Sequence, residues 1–117
     1  MTEKTKEIRI VRVPVGKPAE IVMVKNDLMS LQELVGGNIE LVRLLGLESK
    51  KMYFYVDEEG KLKNKEPNFG IRGDVIVGTA IVSKHDVDGD EVGLTADEAK
   101  WAVLFIDTYR QNEGGLR

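Results

Sequence analysis

Residues Leu28 to Leu44 (Leu-Met-Ser-Leu-Gln-Glu-Leu-Val-Gly-Gly-Asn-Ile-Glu-Leu-Val-Arg-Leu) restrict what this chain can fold into more than any other stretch. Leu28, Leu31, Leu34 and Val35 recur at three- and four-residue spacing, which places them on one face of a helix, with Gln32 and Glu33 on the other. Asn26 or Asp27 is suited to cap that helix by accepting its free backbone N–H groups. Gly36 and Gly37 stop it, the first taking a left-handed conformation without a Cβ penalty. The period then changes to two: Asn38 to Leu45 alternates as a strand. The double glycine therefore reads as a helix stop and a tight re-entry into a sheet.

The flanking residues supply the rest of that sheet. Glu7 to Val13 is dense in Ile and Val, and reads as a strand with Ile8, Ile10, Val11 and Val13 on one side. Pro14 to Pro18 is a turn and Ala19 to Val24 a second strand, so the two form a hairpin. Gly46 to Ser49 reads as a turn and Lys51 to Val56 as an aromatic, β-branched strand. Asp57 to Gly60 is a solvated acidic tip leading to a short returning strand, Lys61 to Lys63. Asn64 to Gly73 reads as a loop. Asp74 to Ser83 is one strand interrupted at Gly78, where a bulge or close backbone approach is expected. Thr95 and Glu98 form a capping-box pattern ahead of a last helix, Ala96 to Gln111. The expected fold class is α+β: a mostly antiparallel sheet of five or six strands with two helices packed on it. At 117 residues it is a single domain, with tails at 1–6 and 113–117 expected to be flexible.

Composition excludes more chemistry than it suggests. There are no cysteines, so disulfides, thiolate metal sites and cysteine nucleophiles fall together. A net charge of −3 argues against general nucleic-acid binding, which needs clustered Lys and Arg. No apolar run approaches the ~20 residues that cross a bilayer, and Met1 to Glu7 is charged, so a cytoplasmic address is expected. His85 is the only histidine, and nothing in the spacing joins it to Ser83 or Thr79 as a triad. Asp86, Asp88 and Asp90 alternate like the start of a calcium loop. The sixth position is Glu91 rather than glycine and no helix leads in, so a solvated turn fits better. Tyr53 and Tyr55 share a strand face that could stack bases, though half-buried packing is the commoner use.

What remains are surfaces. Asn38, Glu40 and Arg43 have no structural duty in the reading of the central stretch. With Gly36 and Gly37, and with Asn64, Asn68 and Arg72 of the long loop, they form the candidate ligand- or partner-binding set. Trp101, Leu104 and Phe105 lie off the stripe of Ala99, Val103 and Ile106 on the last helix. They are either covered by a wide core or form a contact between copies.

Leu31-Gln-Glu-Leu-Val-Gly-Gly-Asn-Ile-Glu-Leu-Val, Val56-Asp-Glu-Glu-Gly-Lys-Leu-Lys and Asp74-Val-Ile-Val-Gly-Thr-Ala occur in an order that resembles a family of small phage, plasmid and bacterial proteins described only as a domain of unknown function. The resemblance spans roughly residues 8 to 98. Members often have Asn before the Glu-Glu-Gly tip, where this chain has Asp57. The resemblance implies a small cytosolic α+β protein of a mobile-element setting, and no activity or cofactor. The expectation is a non-enzymatic accessory protein that binds a host protein or metabolite, as a homo-oligomer, in the host cytoplasm if phage-encoded. A nucleotide or small-ligand sequestering protein is the alternative, and a single-stranded nucleic-acid module a further one. No catalytic residue, metal or cofactor is expected.

Overall fold

The computed structural model describes residues 7–112. Seven strands and three helices follow in the order β1 (Glu7–Val13), β2 (Glu20–Lys25), α1 (Leu28–Val35), β3 (Ile39–Val42), α2 (Leu45–Glu48), β4 (Tyr53–Asp57), β5 (Pro67–Ile71), β6 (Asp74–Val77), β7 (Ala80–Ser83) and α3 (Ala96–Gln111). Five strands form one antiparallel sheet in the order β2-β1-β7-β4-β3, and β5 and β6 form a separate hairpin. The fold is α+β, as its alternation of periods implies.

Both faces of the large sheet are covered, which is why its central strands are apolar on both sides. Ile8, Ile10, Tyr55 and Ile81 pack with Leu31 and Val35 of α1. Val11, Val13, Phe54, Val56, Ala80 and Val82 pack on the opposite face with Ala99, Ala102 and Ile106 of α3 and with Phe69, Ile71 and Ile76 of the hairpin. The single-sided reading of β1 is thereby corrected. Ile8 and Ile10 meet one layer and Val11 and Val13 the other, as alternation along a pleated strand requires. Arg12 closes the rim on an ion pair with Glu20 at 2.7 Å, and Arg9 donates to the Leu94 carbonyl at 3.1 Å.

The helices begin and end where their caps dictate. Asp27 accepts the Ser30 N–H at 2.7 Å, and Gly36, at φ 85°, closes α1 by donating to the Gln32 carbonyl at 2.8 Å. Thr95 and Glu98 exchange side-chain and backbone bonds at 3.1 and 2.9 Å, the full capping box.

Four segments depart from the sequence reading. Leu45–Glu48 is a helical turn, α2, rather than the end of a strand and a loop. Lys61 to Lys63 is no strand; turn hydrogen bonds run Lys63 N–H to Glu59, Asn64 N–H to Lys61 and Lys65 N–H to Gly60. The loop of residues 64–73 contains β5, which pairs with β6. Arg72 and Gly73 join them with φ of 47° and 76°, the left-handed pair of a tight hairpin turn that Asn-Gly would have signalled and Arg-Gly hides. The expected strand Asp74 to Ser83 is two strands in different sheets, because Gly78, at φ 74°, turns the chain between them. The flanking tails proposed at 1–6 and 113–117 lie outside the described residues.

Candidate binding surfaces

The double glycine is part of an ionic clamp. Asp57, at the end of β4, is buried with its side chain 1% exposed. It receives Lys63 Nζ at 2.8 Å, Lys65 Nζ at 2.7 Å and the Glu59 N–H at 2.9 Å. The same ammonium groups reach back to the free carbonyls at the end of α1, Lys65 to Val35 at 2.6 Å and Lys63 to Gly36 at 3.0 Å. No side chain fits between. A Cβ on Gly37 would stand 2.6 Å from Asp57 Oδ1, and one on Gly36 2.6 Å from Lys65 Nζ. Burial pushes the Asp57 carboxyl up, but the bonds from Lys63, Lys65 and the Glu59 N–H override it and bring its pKa to about 2. Asp57 therefore does not belong to a solvated tip, unlike Glu58 and Glu59, which are exposed. Gly36 and Gly37 serve packing here. The sequence signal for the clamp is two lysines two residues apart behind the acidic turn.

A second polar cluster lies around His85. Tyr55 donates its hydroxyl to Glu91 Oε1, and Ser83 donates to Glu91 Oε2 at 2.9 Å. Burial, then the Glu91 hydrogen bond and charge, push the Tyr55 phenol above its ordinary range, so it stays protonated. His85 is half-buried, stacked on Tyr53 with centroids 5.0 Å apart, and the Arg43 guanidinium lies 5.9 Å over the same tyrosine ring. The Tyr53 ring is thus engaged within the chain rather than left as an open stacking platform. Ser83 is fully buried and its hydroxyl is committed to a carboxylate, so it is no accessible nucleophile. Asp86 accepts the backbone N–H groups of Asp88 and Asp90 at 2.9 and 3.0 Å, closing the acidic turn on itself.

Three candidate residues do converge. Glu40, Arg43 and Arg72 line a groove of about 650 Å³ between β3 and the β5–β6 hairpin, floored by Val42, Val56 and Ile76. Lys61 and Asp74 pair on its wall. Glu40, Glu58 and Arg72 form no ion pair with another described residue. β3 ends the sheet, so one side of its backbone has no strand partner among the described residues. The other candidates are scattered. Asn38 accepts from Gln32 Nε2 at 3.2 Å and its carbonyl takes the Glu58 N–H at 2.9 Å. Asn64, at φ 54°, ends the turn after β4. Asn68 is buried, with Nδ2 donating to the Val13 and Gly78 carbonyls at 2.8 Å each; it ties the hairpin to the sheet. On α3, Trp101 and Phe105 stack at 5.0 Å, half-buried, with Lys50 over Trp101 and Gly46 of α2 beneath Phe105. Leu104 stays exposed beside them.

The segments that meet in the clamp and the groove fall within residues 8–110, which match the model of a family described as a domain of unknown function, DUF3846. The chain belongs to that family. The match takes in β1 through nearly all of α3, so the DUF3846 unit comprises the five-stranded sheet, its hairpin and both covering layers. Comparison with curated proteins and with solved structures gives no match.

Proposed function

We propose that this protein is a non-enzymatic accessory protein of a phage or other mobile element that acts by binding a host protein, and that an extended segment of the partner lies in the groove beside β3. The observation that carries this reading is the terminal strand itself. Its outer backbone groups lack a strand partner among the described residues, and residues 40–43 line the groove that β6 walls on the other side. A strand laid there gains main-chain hydrogen bonds from β3, while its alternate side chains meet Val42 and Ile76 below and charged groups above.

Charge balance favours a peptide over a nucleotide. Arg43, Lys61 and Arg72 face Glu40, Glu58 and Asp74, while Asp57 is held in the clamp, so the groove has no positive surplus for phosphates. Peptides selected from a random library against the protein should shift backbone amide resonances of Glu40–Arg43 and Asp74–Val77. Arg72→Glu should weaken them about tenfold, the loss of ~1.4 kcal/mol. Selected peptides that map away from β3 would refute the reading. So would a nucleotide that stabilises the fold, which at a hundredfold excess over Kd adds ~2.7 kcal/mol.

A further inference from the structure

The two ends of the sheet are finished differently. β3 is four residues long and flanked by the hairpin. β2 is six residues long, pairs with β1 in unbroken register from Glu20 to Lys25, and contains neither proline nor bulge. Its only charges are Glu20 and Lys25, at its two ends. Folded proteins protect such an edge with a proline, a bulge, an inward charge or a covering element, or else they use it. No described residue pairs with the outer side of β2. Ile21 and Met23, 43% and 51% exposed, stand side by side on the face that carries α3, since Ile21 lies opposite Val11.

We propose that β2 pairs antiparallel with β2 of a second copy, joining two five-stranded sheets into one of ten strands. The occupant is a second copy because the strand is complementary to itself. Residues directly opposite one another in an antiparallel ladder point to the same face. A two-fold axis normal to the sheet keeps each side chain on its own face, so only residues of like parity can be partners. Val22 opposite its own copy satisfies this. It sets Ile21 against the partner copy's Met23 and Met23 against its Ile21, so four exposed apolar side chains cover one another. Moving the axis to Met23 would set Ile21 against a lysine. Moving it to Ile21 would bring Pro18, which has no N–H, to the end of the ladder. The Val22-centred register alone sets Ile21 against Met23 and also keeps Pro18 out of the ladder. This pairing leaves the groove free, at the opposite end of each sheet.

Light scattering and sedimentation across a concentration series into the high micromolar range test this. The wild type should be a dimer and Met23→Lys a monomer with an unchanged circular dichroism spectrum. Because the chain has no cysteine, Val22→Cys should give a covalent dimer on oxidation, its Cα atoms lying the ~4.5–5.5 Å apart that opposed residues adopt. A monomeric wild type, or a dimer that survives Met23→Lys, would overturn the proposal. Cross-linking through Leu104→Cys but not Val22→Cys would overturn it too, placing the contact on the aromatic flank of α3. Faster cross-linking through Met23→Cys than through Val22→Cys would overturn the register.

Discussion

Replacing Asp57 by asparagine tests the clamp, because it removes the charge while keeping the shape. The pKa of this carboxyl falls from the ordinary 3.8 to about 2. At ~1.36 kcal/mol per pH unit that is about 2.5 kcal/mol of differential stabilisation of the ionised form. The lysines are not fully enclosed; Lys63 is 42% and Lys65 23% exposed, so water screens part of the attraction. In the variant they can turn to solvent rather than remain unpaired. A loss of about 1–2 kcal/mol in unfolding free energy at neutral pH is therefore expected, below the ~3–5 kcal/mol for breaking a fully buried pair. Since the folded pKa is depressed, the contribution is complete above the unfolded value of 3.8 and lost as pH falls through about 2. Urea titrations of both proteins at pH 7, 4 and about 3 should show a constant difference down to pH 4 that shrinks below it. A difference that is absent at pH 7, or that does not change below pH 4, would refute the argument.

Gly37→Ala presses a methyl against Asp57 Oδ1 at 2.6 Å and should cost ~1–3 kcal/mol in the same urea assay. Because it and Asp57→Asn act on one carboxylate, the double variant should lose less than the two separate losses combined. Tyr55→Phe removes the donor to Glu91 and should cost about 1–2 kcal/mol. In the wild type, the Tyr55 signal in a spectrophotometric titration, read as the difference from Tyr55→Phe, should appear only as the protein unfolds in alkali. Thr95→Ala, which removes half of the capping box, should cost ~1 kcal/mol and lower the melting temperature.

The reading of the sequence succeeded where local rules act alone. The bounds of α1 and α3 follow from Asp27, Gly36, Thr95 and Glu98, whose hydrogen bonds are made within a few residues. It failed where backbone conformation was set by an unusual residue or by distant packing. Arg72 in a left-handed turn hid β5 and its pairing with β6, and Gly78 divided what looked like one long strand. The exposed-tip reading of Asp57 failed because Lys65 and the end of α1, far apart in the chain, supply its surroundings. Of the candidate site, Glu40, Arg43 and Arg72 came together around one groove. Asn68, a candidate as part of the long loop, bonds the backbone inside the core.

The unequal layers of the sheet carry a kinetic consequence. Among the described residues, six buried side chains form the cluster under α1, against seventeen on the α3 side. α1 itself contributes the buried Leu31 and Val35, each worth ~1.5–3 kcal/mol of burial, and the half-buried Leu34. That is less than the ~5–15 kcal/mol that holds a typical domain folded. Amide protons of α1 should then exchange through detachment of that layer, while those of α3 wait for global unfolding. The two lysines at the end of α1 set how often the layer lifts.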